Sequence, residues 1–264
     1  MEGEIAARRG VSSFALKVVA AVTMLIDHIG ASLVEWSMRY LSDPATREVL
    51  RAADGVLRIV GRAAFPIFIF LIVEGFFRTS DRKRYLGRIA LFALLSELPF
   101  DLALFCSREP IQALTLWHLS FQNVMLTHLI GLAALCAIDA LRPRDENAGQ
   151  AASAARIVAC AGVAVAACWL AELLSTDYSW NGVLAIILAY LGRLVGGVQL
   201  QAVGALAPLM IMAGVEPFAI ASLPLLLLYN GEKGRSLGRW FFYAFYPAHL
   251  LVLGIIKVAI LLPM

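Results

Sequence analysis

An aspartate and a histidine stand side by side in the middle of an apolar run, and that constrains the chain more than any other feature. The run reaches from about Phe14 to Trp36, long enough to cross a bilayer as a helix. Asp27 and His28 lie within its VTMLIDHIG stretch, residues 22–30. A mid-helix carboxylate costs roughly 2.5–3.5 kcal/mol on insertion scales, so it needs a partner or a polar cavity. Histidine is the side chain whose unperturbed pKa lets it take and release protons near neutrality.

The same composition continues through all 264 residues, 61% hydrophobic and 16% charged. Soluble domains carry about 25% charged residues, so the expectation is an all-α, polytopic transmembrane bundle. Nine spans are expected, near 13–36, 55–77, 83–105, 119–141, 153–174, 180–195, 199–214, 216–230 and 238–262. They form one membrane domain over residues 1–264. The first run is too long, and too polar at its centre, for a removable signal peptide, so it reads as a retained helix.

Basic residues alternate with the spans: Arg8, Arg9 and Lys17, then Arg78 to Arg88, then Arg142, Arg144 and Arg156, then Arg193, then Lys233, Arg235 and Arg239. The positive-inside rule therefore places the amino terminus in the cytoplasm and the carboxyl terminus outside. With a net charge of +3, this pattern reflects topology in the lipid bilayer and gives no sign of a nucleic-acid partner. Cys106, Cys136, Cys160 and Cys168 show no paired spacing and read as packing residues, without a metal. Trp36, Trp117, Trp180 and Trp240 mark span ends, and His118 reads as an interfacial loop residue. Gly192 and Gly196 make a small-xxx-small pair suited to close helix packing, and a homo-oligomer stays open.

Depth can be compared once the spans alternate. Arg58 and Arg62 share a face of the second span, four residues apart, and Pro66 follows one turn later. Glu97 and Asp101 are four apart in the third, and Gln122, Asn123 and His128 open the fourth. Four successive spans thus bring ionisable groups to the depth of Asp27 and His28, where they must face one another or water. A shared polar cavity in the outer half follows. Neighbouring positions on a helix diverge, so Asp27 is expected to pair with Arg58 or Arg62 and His28 to face the cavity. In a competing arrangement Glu97 or Asp101 orients His28.

A second polar group belongs to the cytoplasmic half. Glu74 ends the second span, Tyr229, Asn230 and Lys233 lie in the YNGEKG turn, and Tyr243, Tyr246 and His249 follow at three-residue spacing. With the basic loops they are candidates to hold the phosphates of a nucleotide carrier.

The blocks LKVVAAVTMLIDHIGA, LRIVGRAAFPIFIFLIVEGF, SELPFDLAL, FQNVMLTHLIGL and LLLLYNGEKG, then RWFFYAFYPAHLL, resemble the TraX family over most of the chain. That family takes its name from the conjugation protein that acetylates the amino terminus of F-type pilin, and it is similar to wider membrane acyltransferases. The resemblance implies a bacterial cytoplasmic (inner) membrane protein with acetyl-CoA as donor and His28 as the intramembrane base. It names no acceptor: a pilin-like peptide amino terminus, a glycan or a small molecule all remain. His28 suits a general base or a transient acetyl carrier, with Asp27 as electrostatic support. Arg58, Arg62, Gln122 or Asn123 suit the oxyanion. The rival classes are a secondary transporter, with these groups as a substrate or proton path, and a non-catalytic assembly protein whose polar cluster is structural.

Overall fold

An amide without a partner is costly in hydrocarbon, so apolar runs that enter a bilayer bond within themselves. The computed structural model describes residues 10–105, 121–142, 150–238 and 240–261, and all its regular elements are helical. Arg8, Arg9, Cys106, Trp117, His118, Arg144 and Arg239 lie outside the described residues.

Helix α1 (Ser13–Ile29) begins at Ser12, whose hydroxyl accepts from the Ala15 amide at 3.3 Å. It continues through a π turn (Gly30–Val34) and ends near Ser37. Asp43 caps α2 (Pro44–Gly61), with Pro44 in the first turn, where a missing N–H does no harm. A turn at Arg62–Ala63 joins α2 to α3 (Ala64–Arg78). These two helices run antiparallel to α1: Gly61 packs on Asp27 so closely that a Cβ would stand 2.2 Å from the Asp27 Cβ. Helix α4 (Arg82–Phe100) ends in a second π turn (Asp101–Phe105). Then come α5 (Val124–Leu141), α6 (Gln150–Leu173), α7 (Ser179–Leu206), two 3-10 turns (Ala207–Ile211 and Glu216–Ser222), α8 (Leu223–Leu227) and α9 (Phe241–Leu261).

Helix α3 lies against α1 and α7, α4 lies between α5 and α9, and α5 packs on α6 and α7. Lipid tails are as apolar as leucine, so close packing holds such helices together more than escape from water does. The larger layer has Phe65, Ile69 and Phe76 of α3 with Ile186 and Tyr190 of α7 and Leu132 and Leu135 of α5. A smaller layer joins Leu16, Ala20, Ile67 and Phe70 to Leu226 and Tyr229.

Six helical stretches are long and apolar enough to cross a membrane: 13–37, 44–78, 124–141, 152–173, 179–211 and 241–260. The nine expected spans are not recovered one for one. Helix α4 carries Arg82, Lys83, Arg84, Arg88 and Glu97, which lower its hydropathy. The 216–230 stretch is helical only over 216–227, too short to count as a span. The runs at 180–195 and 199–214 lie in one helical stretch broken at Gly196–Gly197, where Gly197 takes φ +66°. The chain folds back there, since a Cβ on Gly192 would meet the Leu200 carbonyl oxygen at 2.3 Å and one on Gly204 that of Leu188 at 2.4 Å. Gly192 therefore serves a close contact inside the chain.

Candidate active site

Asp27 leaves α1 one turn before the π turn, a distortion that often marks working sites. Its carboxylate is held by two arginines from α2 and the turn after it. Arg58 Nη1 donates to Oδ2 at 2.9 Å, and Arg62 Nη2 donates to Oδ1. Arg62 is spent almost entirely on such contacts. Its Nε donates to the Arg58 carbonyl at 3.1 Å, and Nη1 donates to Glu216 and, at 3.4 Å, to the Tyr178 hydroxyl. Only 5% of Arg62 is exposed, so each charge is matched where water cannot help.

A cavity of about 200 Å³ adjoins this network, lined by Asp27, His28, Arg58, Arg62, His128, Asp177, Tyr178 and Tyr246, with Phe65, Phe68, Phe100 and Phe121 as apolar wall. Tyr178 stacks on Phe65 with ring centres 3.6 Å apart, its own backbone left-handed at φ 60°. His128 stands over the other reach of Phe65, at 5.7 Å. The Nε2 of His128 and the hydroxyl of Tyr246 are buried without hydrogen-bond partners. Asp177 lies between α6 and α7. Burial pushes its carboxyl up to about 7, against the pull of Arg62.

His28 meets another histidine. Its Nδ1 lies 2.6 Å from Nε2 of His249 on α9, and Nδ1 of His249 lies 2.7 Å from the Phe245 carbonyl oxygen. Glu97 bonds instead to Asn123.

Residues 12–257 match the family described as TraX protein. This chain belongs to the TraX family. It is also 29% identical over 251 residues to the probable fimbrial assembly protein FimC, serogroup H1, of Dichelobacter nodosus, covering 92% of this chain and 94% of that one. No solved structure matches.

In this TraX-family chain the residues singled out from the sequence fall into three groups. Asp27, His28, Arg58, Arg62 and His128 line the cavity together, joined by Tyr246 and, through His28, by His249. Tyr246 and His249 are thus placed at the cavity, away from the Glu74 group with which their spacing had put them. The second group stands behind the cavity wall. Asn123 caps α5 through the Met125 amide at 3.0 Å while its Nδ2 donates to Glu97 and to the Ala93 carbonyl. Gln122 bonds through its backbone to Ser175 and Asp177, and Asp101 is buried in the second π turn.

The third group is at the far end of α3. Glu74 accepts from the Tyr229 hydroxyl at 3.1 Å and pairs with Arg78 at 3.0 Å and Arg193 at 3.1 Å. Arg78 also donates to the Gly231 carbonyl at 2.6 Å. The Asn230 amide bonds to the Val11 carbonyl, the Lys233 carbonyl accepts from Phe14, and Tyr243 stacks on Phe92. Twelve residues of helix put Glu74 about 18 Å from Arg62. Asp177 and Tyr178 lie in a polar connection, and Glu216 opens the expected 216–230 span, so none of the three stands out in the sequence. The only signal was that alternation of the spans puts these positions at the depth of Asp27. Among the described residues no three His, Cys, Asp or Glu side chains converge to hold a metal.

Proposed function

We propose that this TraX-family protein is an inner-membrane acetyltransferase that moves an acetyl group from cytosolic acetyl-CoA to an amine or hydroxyl at the outer face. The observation that carries this reading is the cavity itself: an imidazole from α1 borders it beside a carboxylate fixed by two arginines. His28 accepts the proton of the attacking amine or hydroxyl. The freed lone pair bonds to the acetyl carbon, the carbon–sulfur bond breaks, and the thiol leaves with the proton that His28 held. About 200 Å³ suits the reacting ends of two substrates, since whole drug-sized ligands occupy about 300–1,000 Å³. The nucleotide part of the donor stays outside the cavity. Exposed Lys233 and Arg235, at the end of the molecule where the amino terminus meets residues 228–233, suit its phosphates.

Orientation follows from the same charges. Arg78, Arg82, Lys83, Arg84, Lys233 and Arg235 gather at the end opposite the cavity, which the positive-inside rule makes cytoplasmic. A pilin-like peptide is the acceptor favoured by the fimbrial-assembly name of the Dichelobacter relative. Purified protein in detergent, mixed with labelled acetyl-CoA and a pilin-like peptide, tests the reading. Label transfer or thioester hydrolysis that disappears in His28→Ala supports it. Solute counterflow in liposomes without thioester consumption contradicts it.

A further inference from the structure

The hydrogen bonds around His249 dictate where each proton sits. A carbonyl oxygen only accepts, so the 2.7 Å contact from His249 Nδ1 to Phe245 requires a proton on that nitrogen. Neutral His249 then carries a bare lone pair on Nε2. That lone pair faces His28 Nδ1 at 2.6 Å, so the shared proton belongs to His28 Nδ1. The ring planes are 4° apart with centres 4.9 Å apart. Parallel rings stacked face to face keep atoms about 3.5 Å apart or more, so a 2.6 Å contact places these two edge to edge. The bond therefore lies in the plane of both rings, where the lone pair and N–H point. With Nδ1 committed, Nε2 is the unprotonated nitrogen of His28, and His28 borders the cavity.

We propose that His249 is a positioning residue that locks His28 in the tautomer whose Nε2 lone pair serves the cavity, with the Phe245 carbonyl locking His249 in turn. This rests on the acetyltransferase reading and assigns to an imidazole the orienting task that a carboxylate performs in a serine-protease triad, where the wrong tautomer costs about 10⁴-fold. Other charged or titratable groups face His28: Arg58 and Arg62 from the α2 side, Asp27 on its own helix and Tyr246 on α9. None of these takes the hydrogen bond at Nδ1, which His249 alone occupies among the described residues.

The test uses the full-length protein and three variants. His249→Ala leaves Nδ1 without a partner and lowers kcat about 10–100-fold, part of what a positioned base provides, at unchanged KM for acetyl-CoA. His249→Gln offers an amide oxygen to His28 and an amide N–H to Phe245, and it restores kcat to within several-fold. His249→Glu brings a carboxylate that favours imidazolium, so the acid limb of the kcat profile moves to higher pH. A glutamine variant as poor as the alanine one, or a pH profile unmoved by glutamate, overturns the proposal. Nitrogen-15 spectra of labelled histidine, with His28 assigned through His28→Gln, give a readout independent of turnover. Protonated Nδ1 with bare Nε2 at His28 supports the proposal, and the reverse tautomer overturns it. The expected tautomer in a protein that consumes no thioester would leave the proton arrangement standing and contradict the acetyltransferase reading.

Discussion

Asp27 and Glu74 are both buried carboxylates gripped by two arginines, yet they sit in different surroundings. Around Glu74 the Tyr229 hydroxyl and Arg78, which also donates to the Gly231 carbonyl, tie α3 to the 229–231 turn. Asp139 repeats that arrangement with Arg82 at 2.6 Å, Arg142 at 2.8 Å and the Tyr190 hydroxyl at 2.7 Å, joining α4, α5 and α7. The Asp27 network instead forms one wall of a cavity, with two histidines, a tyrosine and a second acid around the rest. An ionisable group within a membrane is thus only half a signal of function. The other half is capacity left unspent beside open space.

The largest effect that could break this contrast is on stability. Arg62→Ala takes the cation from Glu216 and leaves Asp27 with Arg58 alone, and losing one partner of such a buried network costs about 3–5 kcal/mol. Unfolding in mixed detergent should show that loss, whereas a drop below about 1 kcal/mol would mean Arg62 is not the keystone of the network.

A smaller effect should come from Asp177. Its carboxyl moves from an ordinary 3.8 to about 7 on folding, so the fold favours the protonated form. That contribution is complete below the unfolded value and is lost as pH rises through about 7. The thermal midpoint of the native protein should therefore fall between pH 4 and 7 relative to that of Asp177→Asn. Parallel curves for the two proteins would show that the carboxyl is solvated.

The smallest effect should be that of Tyr246→Phe. The hydroxyl is buried without a hydrogen-bond partner, although the Val124 amide stands beside it, so its removal should change stability by less than about 0.5 kcal/mol. A loss above about 1.5 kcal/mol would reveal a real bond to that amide.

How far the sequence could be read differs from residue to residue. The pairing of Asp27 with Arg58 and Arg62 was legible because a mid-membrane carboxylate needs a cation and two arginines four apart share a face. Both arginines bind it. The helical class was equally plain from the apolar runs. The break at Gly196–Gly197 was legible too, because separate apolar runs were expected at 180–195 and 199–214; that the two arms touch at Gly192 and Gly204 was not. His249 was grouped with Tyr243 by periodicity, but α9 runs about 1.5 Å per residue, so six positions carry it about 9 Å deeper, to His28. Glu97 and Asn123 lie near the cavity in sequence depth but bond to each other and do not line it. Which of several polar groups at one depth faces open space is decided by side-chain packing, which no single-chain pattern encodes.

The most direct measurement compares His28→Ala with Glu74→Gln in one preparation, recording acetyl transfer and thermal midpoint for each. The cavity account predicts that His28→Ala loses transfer about 10²-fold or more with its midpoint nearly intact. It predicts that Glu74→Gln lowers the midpoint while transfer stays within a few-fold of native. Transfer that survives His28→Ala but vanishes in Glu74→Gln would put the chemistry at the opposite end of α3 and contradict it.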